Sequence, residues 1–97
     1  MRSEVVSIHA SVGREAAPIL NALTTAKRAC VWLAHRGFRP LEVLIGPRNP
    51  QIWIATSPRC ATLDGAPCIR RFVCGYRETV MVALVEGCEV RWIERGN

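Results

Sequence analysis

Residues 79–94 read TVMVALVEGCEVRWIE, two apolar runs on either side of Glu86-Gly87. A two-residue loop with glycine second is the strongest short-range mark of a tight β-hairpin, because primed turns need φ > 0 at that position. Counting outward from the turn pairs Val85 with Cys88, Ala83 with Val90 and Met81 with Trp92 on one face. The other face pairs Leu84 with Glu89, Val82 with Arg91 and Val80 with Ile93. The first row is a core face. The second is half apolar and half charged, greasier than a water-facing strand, which implies that something covers it.

Upstream of the hairpin, residues 68–77 (CIRRFVCGYR) predict a further strand, with Arg70, Phe72, Cys74 and Tyr76 on one side and Arg71, Val73 and Arg77 on the other. Gly75 reads there as a bulge. Residues 57–67 read as a loop with a turn at Asp64-Gly65. Residues 38–45 and 51–56 read as strands around the punctuated segment Gly46-Pro47-Arg48-Asn49-Pro50, with Ile52 and Ile54 on one face and Trp53 on the other. From Arg14 to Arg36 the period changes. Ala16, Ile19, Leu23, Ala26, Cys30, Leu33 and Ala34 recur at steps of three and four, the stripe of an amphipathic helix, and Gly37 stops it. Pro18 belongs in the first turn of that helix. Residues 1–13 form either a short strand or a lead-in.

The fold class that follows is α+β. One long helix (residues 14–37) packs on one face of a four- to five-stranded antiparallel meander sheet (residues 38–97) in a single domain. A chain of 97 residues supports one such core and not two. A single helix covers a single sheet face. The opposite face, carrying Trp53, Val80, Val82, Leu84 and Ile93, is therefore predicted to associate with a second copy, making a homodimer, or with another partner.

Of the 13 basic residues only Lys27 is a lysine, and the net charge is +5. Arginine suits bidentate recognition of phosphate and carboxylate, so the skew would fit nucleic acid or an acidic protein; the plainer source of it is a GC-rich genome that favours arginine codons. A basic chain is no acidic mimic of DNA. On the polar face of the helix Trp32 stands among Arg28, His35 and Arg36, either folded over a sheet edge or acting as the aromatic anchor of a contact patch. The candidate contact residues for nucleic acid or a partner are Arg28, Trp32, Arg36, Arg48, Arg71, Arg77 and Arg91.

Catalytic signals are sparse. His9 and His35 are the only histidines and Asp64 the only aspartate, and no phosphate-binding loop, nucleophile elbow or paired-carboxylate motif occurs. Cys60, Cys68, Cys74 and Cys88 lack the CxxC spacing that presents two zinc ligands at the right bite, so neither a metal nor another cofactor is expected. The odd count of five cysteines, with no secretory signal at the N-terminus, reads as free thiols in a reducing compartment. No apolar run reaches the ~20 residues that span a bilayer, so the expected location is the cytoplasm.

Two resemblances add context. The run Arg71–Arg95 resembles the C-terminal sheet of RelE-type ribonuclease toxins, with Gly75, Tyr76 and Arg77 in the matching strand; upstream, where that family has two successive helices, this chain has one. The longer order of Arg36-Gly37-Phe38, Pro50-Gln51-Ile52-Trp53-Ile54, the cysteine-bearing loop, Gly75-Tyr76-Arg77 and Gly87-Cys88-Glu89-Val90-Arg91-Trp92 is similar to small uncharacterised accessory proteins of prophages and mobile elements. That resemblance implies a role in binding nucleic acid or a host machine that handles it, compatible with inhibition of a defence complex such as CRISPR. The reading is thus a non-enzymatic binding protein, with a ribonuclease toxin or a structural homodimeric module as alternatives.

Overall fold

A computed structural model describes residues 7–10 and 16–96. The elements in chain order are β1 (Ser7–Ala10), α1 (Ala16–His35), β2 (Pro40–Ile45), β3 (Gln51–Ile54), a 3-10 segment (Pro58–Leu63), β4 (Ala66–Val73), β5 (Tyr76–Val85) and β6 (Cys88–Gly96). One helix lies on a six-stranded sheet, which is the α+β class expected. The strand order, β1-β2-β3-β6-β5-β4, is not a meander. β1 runs parallel to β2, and β3 runs parallel to β6.

Both departures have a simple origin. The helix carries the chain back along the sheet, so the strands on either side of it point the same way, as in any crossover connection. Residues 55–65 then carry the chain from β3 to the far edge, and the last strand fills the gap beside β3. The C-terminal strand is consequently central, paired on both sides. Its register with β5 is the one read from Glu86-Gly87: Val85 faces Cys88, Ala83 faces Val90 and Met81 faces Trp92, with Leu84, Val82 and Val80 opposite Glu89, Arg91 and Ile93. The turn has φ of 49° at Glu86 and 81° at Gly87, a type I′ geometry whose twist matches the strands it joins.

The helix is stopped by a Schellman motif. Phe38 N–H donates to Leu33 O at 3.0 Å and Gly37 N–H to Ala34 O at 3.1 Å, with Gly37 at φ 85°. Ala26, Ala29 and Leu33 are buried against Val43, Ile45, Ile52, Ile54, Cys88, Val90 and Trp92. The stripe is turned slightly from the one predicted, since Ala29 is buried and Ala34 exposed. Small side chains on this face let α1 approach β2, β3 and β6 closely. β4, in contrast, is exposed along its whole length.

Two other expectations change. Residues 58–63 form the 3-10 segment rather than plain loop, ending on Asp64 in the left-handed region. Gly75 is no bulge: Cys74-Gly75, with φ of 51° and 80°, is a second two-residue primed turn, and it divides residues 68–77 between β4 and β5. Of the two readings of residues 1–13, a strand is present over Ser7–Ala10, and the remainder lies outside the described residues. No helix among the described residues is long and apolar enough to cross a membrane.

Trp92 anchors the start of β4 as well as the core. A Cβ on Gly65 would fall 2.5 Å from its ring, whereas a Cβ on Gly46 meets nothing within 4 Å. Gly65→Ala should therefore lower the thermal midpoint by the equivalent of about 1–3 kcal/mol through overpacking. Gly46→Ala, measured in the same melts, should lie within about 0.5 kcal/mol of the parent; equal melting of the two variants would contradict this packing.

Candidate functional site

The register lays out the face that α1 does not cover as a series of cross-strand rows. Leu44, Gln51, Glu89 and Leu84 form one; Glu42, Trp53, Arg91 and Val82 form the next. Ile69, Val80 and Ile93 follow, and then Arg71, Glu78 and Arg95. In this last row Glu78 accepts from Arg71 Nε at 3.1 Å and from Arg95 Nε at 3.0 Å, its side chain almost wholly buried while both arginines remain open to water. The Arg95 hydrogen bond holds the Glu78 carboxyl below its usual range; burial opposes that shift and Arg71 adds to it. Charge and hydrogen bonding outweigh desolvation here.

The predicted self-association face is only partly available. Val80 is 1% exposed, flanked in register by Ile69 and Ile93 and followed by the ion row, so it offers no surface. Trp53, Val82 and Ile93 are half-buried, and Leu84 is 74% exposed. A shallow cleft of about 380 Å³ runs between Leu41, Trp53, Thr56, Ile93 and Arg95 at the same face.

The predicted arginines do not gather into one patch. Arg28 and Arg36 are exposed on α1, and Arg36 lies over the Trp32 ring, 3.8 Å from its centroid. Trp32 is half-buried against the core, so it closes the helix edge and carries a cation on its face. Arg48 is exposed in the β2–β3 loop, which the strand directions place at the opposite end of the sheet from the helix C-terminus. Arg71 is in the ion row. Arg91 bonds Glu89 at 2.9 Å, and its Nε is buried without a hydrogen bond, so its role is within the chain.

Arg77 stands elsewhere, on a ribbon made by β4 and the first half of β5, beyond the reach of the helix. Its guanidinium is 5.8 Å from the Phe72 ring centroid. Arg70, Phe72, Arg77 and Thr79 share the helix-side face of the ribbon and line a groove of about 490 Å³. Val73 and Tyr76 pair on the reverse face. Phe72 is 74% and Tyr76 59% exposed, and Ile69 and Val73 are also open. Arg70, Phe72 and Tyr76 were not among the candidate contact residues, and the sequence reading placed Arg77 on the face opposite Phe72. Cys74-Gly75 was the available signal, because reading it as a turn makes residues 66–85 a two-stranded arm.

The cysteines separate into kinds. Cys30 is half-buried, Cys60 and Cys88 are buried, and Cys68 and Cys74 are exposed. Burial, with a smaller contribution from Cys30, pushes the Cys88 thiol up to about 11, so at neutral pH it is a protonated core group. Among the described residues no three metal-ligating side chains converge.

The ion row makes the acid response of the protein testable. A carboxylate whose pKa is depressed by folding contributes stability above its unfolded value, ~4.3 for glutamate, and loses it as the pH falls through the lower folded value. Urea midpoints should fall from neutral pH into that acid range in the parent. In Glu78→Gln they should be lower at neutral pH and change less with acid; parallel profiles would show that the row contributes nothing.

Residues 12–93 match the model of the Kil protein family, and the chain belongs to that family. It is a phage accessory protein. No curated protein and no solved structure gives a significant match.

Proposed function

We propose that this phage protein of the Kil family acts by binding rather than by chemistry, gripping a host protein with the β4–β5 ribbon. The observation that carries this reading is the composition of the ribbon: within nine residues it exposes Ile69, Phe72, Val73 and Tyr76 together with Arg70 and Arg77. Aromatic side chains and arginine dominate protein binding sites because they bury much area at small entropic cost and still offer directed hydrogen bonds. Segment 66–77 contains no acidic residue, which favours a partner patch with acidic rims. A nucleic acid is the second reading, supported by Arg70 and Arg77 on either side of Phe72. It is the weaker one, since Arg71 and Arg91 are already held by glutamates and Arg48 is at the far end of the sheet.

Pull-down from host lysate with the parent and with Phe72→Ala/Tyr76→Ala tests the first reading. The parent should retain a defined host protein, and the variant, with unchanged circular dichroism, should lose most of it. Identical or empty retention sinks the reading. Direct binding of DNA or RNA at ~50 mM salt, weakening with salt and lost in Arg70→Ala/Arg77→Ala, would replace it with the second.

Self-association is a separate proposal carried by the exposure of Leu84 on the open sheet face, beside the partly open Val82. A second copy covering that row would shelter it. Light scattering should give a dimer for the parent and a monomer for Leu84→Lys; a parent that stays monomeric at high concentration refutes the dimer.

A further inference from the structure

The C-terminus of α1 and the 3-10 segment enclose a cleft of about 700 Å³, apart from the ribbon and from the open sheet face. Trp32, His35, Arg36, Phe38, Arg59 and Leu63 line it. Two guanidinium groups line it. The Arg36 guanidinium lies over the Trp32 ring. Arg59 lies against the backbone of Gly37, so near that a Cβ at Gly37 would fall 2.9 Å from its Nε. Glycine is required at position 37 by its φ of 85°, and a side chain there would also displace Arg59. Among the described residues neither arginine is paired with a carboxylate. Surface cations ordinarily scatter into solvent on flexible stems. Two that line one cleft, Arg36 over the Trp32 ring and Arg59 beside Gly37, form a concentrated positive site.

We propose that this cleft binds a small phosphomonoester, its phosphate taken by the forks of Arg36 and Arg59. The charge decides for phosphate over carboxylate: two guanidinium groups face the cleft, and a phosphomonoester carries about −1.5 to −2 at neutral pH. Each planar fork matches two phosphate oxygens. A small ligand fits better than a polynucleotide, because the volume is that of a small-molecule site. The Trp32 ring face is also taken by Arg36, so it gives no platform on which a base would stack. One force opposes an anion here, the roughly −0.5 charge at the end of α1. Two full positive charges exceed it, and the Leu33 and Ala34 carbonyls are already satisfied by Arg36, Gly37 and Phe38 N–H groups.

The test is titration of the full chain with inorganic phosphate and with a nucleoside monophosphate, following the arginine Nε–H and tryptophan indole resonances. Saturable shifts at Arg36, Arg59 and Trp32 are expected. Arg36→Gln and Arg59→Gln should each weaken the affinity about tenfold, the loss of one charge-assisted contact, while Arg48→Gln leaves it unchanged. Both substituted side chains are on the surface, and far-ultraviolet circular dichroism confirms that the variants remain folded. The ribbon variant Phe72→Ala/Tyr76→Ala should bind phosphate like the parent, which separates this site from the proposed protein contact. Shifts that never saturate, or that chloride reproduces at matched ionic strength, would reduce the cleft to charge screening and overturn the proposal. So would tighter binding of an oligonucleotide without a terminal phosphate than of the monophosphate.

Discussion

One helix for six strands is the constraint on which the rest of the structure depends. A helix of 20 residues is ~30 Å long and about 10 Å wide, enough to cover three neighbouring strands on one face. It lies over β2, β3 and β6, where Val43, Ile45, Ile52, Ile54, Cys88 and Val90 are buried beneath Ala26, Ala29 and Leu33. The outer half of the β4–β5 hairpin extends past it. That half is held by what a sheet supplies for itself: the cross-strand row Ile69, Val80 and Ile93, and the Arg71, Glu78 and Arg95 row beside it.

This division explains why Glu78 is the only buried charged side chain among the described residues. An unpaired carboxylate there would be costly to bury, but two arginines donate to it from the neighbouring strands in exact register with it. The arginines keep their outer surfaces in water, so they cover Glu78 and seal the end of the apolar Val80 row without being buried themselves. Local packing, and not the helix, thus stiffens the base of the arm while its tip stays open.

Much of this was legible in the chain, to the extent that it was local. Glu86-Gly87 set the register of β5 and β6 because a two-residue turn leaves no freedom in the pairing. Gly37 marked the helix end because only glycine tolerates that φ readily. What was not legible was long-range. Nothing in β3 announces that its neighbour will come from a segment some forty residues later, so the parallel β3–β6 pairing was read as a meander. The arm was missed for a subtler reason. Cysteine at the first turn position, φ 51°, is outside the usual asparagine, aspartate and glycine set, and Gly75 alone reads equally well as a bulge. Charge was the least legible property: twelve arginines in the chain say nothing about which will be bonded to glutamates.

The arginines, once placed, carry different meanings. Arg71, Arg91 and Arg95 balance Glu78 and Glu89 and belong to the architecture. Arg36 and Arg77 sit over aromatic rings, where an exposed cation–π contact contributes ~0.5–1 kcal/mol, too little to be the reason for a fold but enough to bias where a guanidinium rests. These two line a cleft and a groove with Arg59 and Arg70, and all four lie towards the end of the sheet where α1 stops and the ribbon tip projects. The net charge of +5 is therefore not an even coat. It concentrates useful positive charge at one end of the molecule, beside the most exposed aromatic surface, and leaves the open sheet face to Leu84 and its half-buried neighbours.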